Sequence, residues 1–199
     1  MISVPSSTFS CLLVLALISG SARAIDAARV PAPKQTKAGL YLDAREAHAF
    51  KQQAGSNALL IDIRTRSEVA YLGMPATADA HIPFADHPSG MPWDDKNARF
   101  RTDPNPDFEP ELARRLAAHG LGKHDTVILI CRSGDRSARA VNLLTELGYR
   151  KVYSVIDGFE GDVETDGPQA GRRVVNGWKN AGLPWTYKLE KSKMYLPSN

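Results

Sequence analysis

One run, Cys131-Arg132-Ser133-Gly134-Asp135-Arg136-Ser137, brings together a nucleophile, two guanidinium groups, two hydroxyls and a glycine. The thiolate is the reactive form of cysteine, and nearby cations or backbone amides favour it. Gly134 permits the dihedral angles of a tight loop, whose N–H groups can turn inward and form a nest for an anion. A helix opening just beyond, near Ser137, adds the positive end of its dipole. Arg132 and Arg136 supply fixed positive charge, and Ser133 and Ser137 offer donors to an oxyanion. The expected chemistry is attack by Cys131 on a small anionic substrate held by the amides from Arg132 through Asp135 to Ser137.

Regular elements must position that loop. Residues 126–130 form a short apolar run ending at Cys131, which reads as a buried strand. Residues 137–147 place Ala140, Val141, Leu144 and Leu147 on one helical face, with Gly148 as the stop. Asp43 with Glu46 predicts a capped helix over 44–53, and residues 59–63 and 152–156 read as further strands. A short helix is expected over 67–72. Pro110 is expected as the first residue of a helix over 111–119. Residues 84–110, rich in proline, read as a long ordered loop anchored by Trp93 and Phe100. Strands alternating with helices predict an α/β fold, a parallel sheet flanked by helices on both faces. The carboxyl end of a strand in such a sheet is where reactive groups collect, and Cys131 sits there.

The chain has 199 residues, a net charge of +3 and scattered basic residues. That excludes the basic blocks of nucleic-acid or membrane-surface binding. Residues 11–18 form one apolar run too short to span a bilayer, followed by Ala22-Arg23-Ala24, a small-residue cleavage pattern. The expected organisation is a signal peptide over 1–24, a flexible lead-in over 25–38, a folded domain over 39–190 and a tail over 191–199. Periplasmic or secreted localisation follows, with no membrane association after cleavage. Of the two cysteines, Cys11 leaves with the signal, so the mature chain holds one thiol and no internal disulfide.

No metal or other cofactor is expected. The histidines (His48, His81, His87, His119, His124) show no ligand spacing with Cys131. The acidic turns starting at Asp103 and Asp162 lack the glycine or the bidentate glutamate of a calcium loop. Gly134 is not followed by the Gly-Lys-Ser/Thr of a nucleotide-phosphate loop.

The Cys131–Ser137 run, between an apolar strand and an amphipathic helix, resembles the active-site loop of the rhodaneses, a family of sulfurtransferases. Leu60-Ile61-Asp62-Ile63-Arg64 with Glu68 and Gly73 resembles a second segment of that family, as do Ala80-His81-Ile82-Pro83, Asp157-Gly158 and Gly177-Trp178 with Leu183-Pro184. The resemblance spans roughly residues 40 to 186. Where the family often has Gly-His-Ile, this chain has Gly73-Met74-Pro75. The resemblance implies sulfur transfer through a Cys131 persulfide, with thiosulfate or a related sulfur anion as donor and cyanide or a thiol as acceptor. Asp62 and Arg64 are expected to brace the loop by ion pairing rather than touch substrate. The alternative within the family is a sulfur carrier or binding module serving a periplasmic partner protein. A cysteine phosphatase or arsenate reductase carries its arginine six positions after the cysteine, where this chain has Ser137.

Overall fold

The structure, a computed structural model, describes residues 25–197. The 1–24 leader expected from the sequence lies outside the described residues. Five strands build one parallel sheet: β1 (Tyr41–Leu42), β2 (Ala58–Asp62), β3 (Ala80–His81), β4 (Thr126–Ile130) and β5 (Lys151–Val155). Their spatial order is β1-β5-β4-β2-β3, and every neighbouring pair runs parallel. The central pair β2 and β4 stays in register from Ala58 opposite Thr126 to Asp62 opposite Ile130.

Four helices cover the sheet: α1 (Ala44–Ala54), α2 (Arg66–Leu72), α3 (Phe108–Ala118) and α4 (Asp135–Glu146). Alternate strand residues divide between two cores, as the two-residue period of a strand requires. Leu59, Ile61, Val127 and Leu129 pack with Leu112 and Leu116 of α3 and Val141 and Leu144 of α4. Leu60, Ile128 and Ile130 pack on the other face with Ala44 and Ala47 of α1 and Val69 of α2. Each fully buried aliphatic chain contributes about 1.5–3 kcal/mol, so both helical layers are held firmly. The expected α/β fold with helices on both faces is what the structure has.

Local chemistry explains the helix boundaries. Asp43 accepts the Glu46 amide at 2.8 Å while Glu46 accepts the Asp43 amide at 2.9 Å, the reciprocal cap expected for α1. Thr65 and Glu68 make a second such cap, which starts α2 one residue earlier than expected. Helix α3 begins at Phe108 rather than Pro110, because the Phe108 ring is buried against Phe84 at 5.2 Å. Pro110 then falls inside the first turn, where no amide is needed. Helix α4 starts at Asp135, two residues before the expected Ser137.

Three segments differ from expectation. Residues 25–38, expected to be a flexible lead-in, pack against the domain instead. Val30 is buried, and Lys34, also buried, donates to Asp162 at 2.6 Å. The 191–197 part of the expected tail is tied down as well: Met194 bridges to His81, and the Tyr195 hydroxyl donates to Asp107 at 2.7 Å. Within 84–110 the main chain forms two small antiparallel pairs, Ala85–Asp86 with Asp103–Pro104 and Trp93–Asp94 with Arg99–Phe100. Trp93 and Phe100 meet edge to face at 5.4 Å yet remain half exposed, so they brace each other and not the core.

Candidate active site

Cys131 directly follows β4, and α4 begins four residues later. The chain turns between them at Gly134, whose φ of 103° lies in the region that favours glycine. This turn directs the Gly134 amide to Cys131 Sγ at 3.1 Å and the Ser137 amide to it at 3.4 Å. The sulfur thus sits at the N-terminus of α4 and accepts two backbone donors, the arrangement that stabilises an anion. A Cβ at Gly134 would stand 2.2 Å from the Ile156 carbonyl oxygen, so the turn is packed too closely for any other residue.

A second loop locks the first from behind. The Phe159 amide donates to the Cys131 carbonyl at 2.8 Å, and the Glu160 amide to the Arg132 carbonyl at 3.0 Å. Gly158 makes this contact possible, because a Cβ there would meet Cys131 and Arg132 backbone atoms at 2.5–2.6 Å. Lys34 lies on the other side of Gly134, bringing the amino-terminal segment against the same turn.

The charged residues divide in a way the sequence did not foreshadow. Arg136 does not lie free beside the sulfur: its guanidinium grips Glu68 of α2 with two bonds of 2.6 and 2.7 Å. Burial alone would raise the Glu68 pKa, but the Arg136 fork outweighs it and holds the carboxyl at about 2. The Arg136 pKa is raised: burial opposes its charge, and the Glu68 bonds more than offset that. Arg132 and Asp135 point to solvent, while Ser133 is buried. Of the two guanidinium groups expected beside the thiol, Arg136 is shared with Glu68 while still interacting electrostatically with Cys131, and Arg132 is exposed. Partial burial of Arg136 is sustained by that carboxylate, which explains its choice of partner.

Asp62 and Arg64 pair as expected, though with each other. Both are fully buried, with Arg64 Nη2 at 2.6 Å from Asp62 Oδ2 and Arg64 Nε at 2.9 Å from Asp62 Oδ1. Arg64 also donates to the Gly73 carbonyl at 2.6 Å and lies 3.9 Å above the Phe159 ring. Neighbours link the pair to the reactive loop: the Ile63 amide donates to the Ile130 carbonyl, and the Phe159 amide donates to the Cys131 carbonyl. His81, its pKa lowered by burial, donates from Nε2 to the Arg64 carbonyl at 2.8 Å.

Cys131 itself is 1 % exposed. Its sulfur accepts the Gly134 and Ser137 amides, and the Ser137 hydroxyl is buried with no hydrogen-bond partner. Surface cavities of about 600, 480 and 280 Å³ lie elsewhere, none with Cys131 in its lining. Sequence reasoning missed the partners Glu68, Phe159 and Lys34. The Thr65-x-x-Glu68 spacing is that of a helix cap, which the structure shows, and it carries no information about Arg136.

Residues 32–165 match the family described as the rhodanese-like domain. An uncharacterized protein of Rickettsia conorii is 31% identical over 134 residues, 67% of this chain and 87% of the relative. A thiosulfate sulfurtransferase, GlpE of Tolumonas auensis, is 46% identical over 41 residues, 21% of this chain and 39% of that protein. Among solved structures, Rv0390 from M. tuberculosis superposes with a TM-score of 0.55 at 27% identity, across 74% of this chain and 97% of that one. A parallel sheet of this order, a cysteine closing its central strand and a matching family domain define one class of protein. The chain belongs to the rhodanese-like family.

Proposed function

We propose that the protein transfers sulfane sulfur through a persulfide at Cys131. The observation that carries this reading is the pair of amides, from Gly134 and Ser137, converging on Cys131 Sγ at 3.1 and 3.4 Å. Two donors of this kind hold a thiolate and then the negative charge of a persulfide. In the first step Cys131 Sγ attacks the outer sulfur of thiosulfate. The S–S bond of the donor breaks, sulfite leaves with the electron pair, and a Cys131 persulfide anion forms. In the second step cyanide or a thiolate attacks the outer sulfur and returns Cys131 as thiolate. The unpartnered Ser137 hydroxyl is available to donate to the outer sulfur. Asp62, Arg64, Glu68 and Arg136 act as supports that hold the loop in place.

Treatment with thiosulfate, followed by intact-mass measurement, should add one sulfur atom that a thiol removes. Replacing Cys131 by Ser should abolish both the adduct and thiosulfate:cyanide turnover; turnover that survives the substitution sinks the assignment.

The burial of Cys131 favours a second reading, a carrier that holds the persulfide for a partner protein. Two free reagents must reach the sulfur in an enzyme, whereas a docking partner can open the loop. Stoichiometric labelling with negligible steady-state turnover would select the carrier. Export to the periplasm or medium is proposed with either reading, on residues 1–24 alone. N-terminal sequencing of the mature protein, with cleavage expected after Ala24, tests it.

A further inference from the structure

The turn that carries the chain from Cys131 into α4 is touched at two points by segments distant in sequence. At the first, the amides of Glu160 and Gly161 donate to the Arg132 carbonyl at 3.0 and 3.3 Å. At the second, the Lys34 stem fills the space beside Gly134, with Cδ 3.0 Å from where a Cβ would stand. These two segments are also joined to each other. Lys34 Nζ donates to Asp162 Oδ1 at 2.6 Å, one residue beyond Gly161. The contacts close a ring from Arg132 through Gly134, Lys34, Asp162 and Gly161 back to Arg132.

Both arms of the ring are anchored elsewhere. Asp162 Oδ2 accepts Asn176 Nδ2 at 3.1 Å, the Asp162 amide donates to Asn176 Oδ1 at 2.8 Å, and Arg173 donates to the Gly161 carbonyl at 2.6 Å. On the amino-terminal arm Val30 is buried, and the Lys37 amide donates to Asn142 of α4 at 2.8 Å. Lys34 is the outlier on that arm, a lysine only 7 % exposed. Lysine is almost never so buried unless paired, and its long stem loses much rotamer freedom on burial. The ammonium is what ties this stem to Asp162.

We propose that Lys34 is a positioning residue for the sulfur site: its ion pair with Asp162 pins its stem against Gly134 and keeps the Gly134 amide aimed at Cys131 Sγ. That amide, 3.1 Å from the sulfur, is the nearer of the two donors. A glycine has many conformations open to it, and Gly134 needs a φ of 103°. The Lys34 stem and the Ile156 carbonyl together fill the side that a Cβ would occupy, which restricts the turn. Without Asp162 the ammonium would be buried with no counter-charge, so it moves out to water and takes the stem with it. The proposal rests on the sulfur-transfer reading only for the step that the amide serves.

Two rates measured on the full chain test it. One is persulfide formation from thiosulfate, followed by intact mass. The other is alkylation of Cys131 by iodoacetamide at pH 7 relative to pH 10, a ratio in which access cancels and the thiolate fraction remains. A residue that merely stabilises the fold leaves this ratio unchanged. Asp162→Ala and Lys34→Ala should each slow persulfide formation and lower the ratio about tenfold, the scale of losing one donor to a charged sulfur. Lys34→Met puts Sδ where Cδ stood and has no charge to draw it out, so both rates should stay within about threefold of wild type. Combined with Asp162→Ala, Lys34→Met should restore that level. Urea unfolding establishes that each variant is folded, and Lys34→Ala carries the test if Asp162→Ala is not. Wild-type rates in folded Lys34→Ala overturn the proposal, as does lowered stability with an unchanged ratio. Failure of Lys34→Met to rescue Asp162→Ala overturns it too. A wild-type chain that forms no adduct refutes sulfur transfer instead, while the alkylation ratio still decides the role of Lys34.

Discussion

Arg136 and Glu68, 68 residues apart in the chain, face each other in a two-pronged ion pair that ties the start of α4 to the start of α2. The reactive loop is thus tied laterally by this couple, while Arg132 stays exposed within it. Both side chains are 17% exposed, so solvent screens them only in part. Glu68→Gln should strip Arg136 of its partner and destabilise the protein by about 2 kcal/mol, read from urea unfolding at pH 7. The Cys131 adduct should form more slowly, because the loop loses its lateral tie.

The same carboxyl sets part of the acid sensitivity. Its folded pKa of about 2 lies below the value of about 4.5 that it takes when unfolded. A depressed pKa means that the unfolded chain binds more protons, so the stabilisation is present above pH 4.5 and is lost as pH falls towards 2. Asp157 acts in the opposite direction. Burial raises its pKa from 3.8 to about 6, so the folded chain binds more protons between those values. Stability should therefore decline as pH rises from about 4 to about 6 and level off above. Asp157→Asn should remove that decline and leave the Glu68 limb intact, which a series of urea melts from pH 2 to 7 will separate.

Gly134→Ala should destabilise the fold by at least about 1–3 kcal/mol, since it combines a φ of 103° with a contact of 2.2 Å to the Ile156 carbonyl. Gly158→Ala should do the same through the Cys131 and Arg132 backbone. Neither replaces a reactive group, so loss of the thiosulfate adduct in these variants would report displacement of the Gly134 and Ser137 amides. An adduct formed at the wild-type rate in a folded Gly134→Ala protein would contradict the role given to this turn.

Arg64→Met should cost about 3–5 kcal/mol, because Asp62 would remain fully buried without its counter-charge. Asp62→Asn with Arg64→Met together should recover much of that loss. A double-mutant cycle in urea measures the coupling.

Much of this molecule was open to reading along the chain. The Thr126–Ile130 strand was delimited to the residue, because a short apolar run bounded by charge and by Cys131 leaves little choice. The Asp43–Glu46 cap depends on atoms three residues apart, and spacing alone predicts it. Cys131 at the strand-to-helix turn was legible for the same reason: β4, the loop and α4 are contiguous.

What the chain order could not decide depends on segments far apart in sequence. The pairing of Arg136 with Glu68 is one such case. Others are the docking of Phe159 on Cys131, the packing of Lys34 beneath Gly134 and the exposure of Trp93 and Phe100. A guanidinium takes whichever carboxylate the assembled layers bring within reach, and an aromatic ring is buried only if a neighbouring element covers it. Local periodicity and spacing determine the strands, caps and turn; only the packed layers determine partners, burial and access to the sulfur.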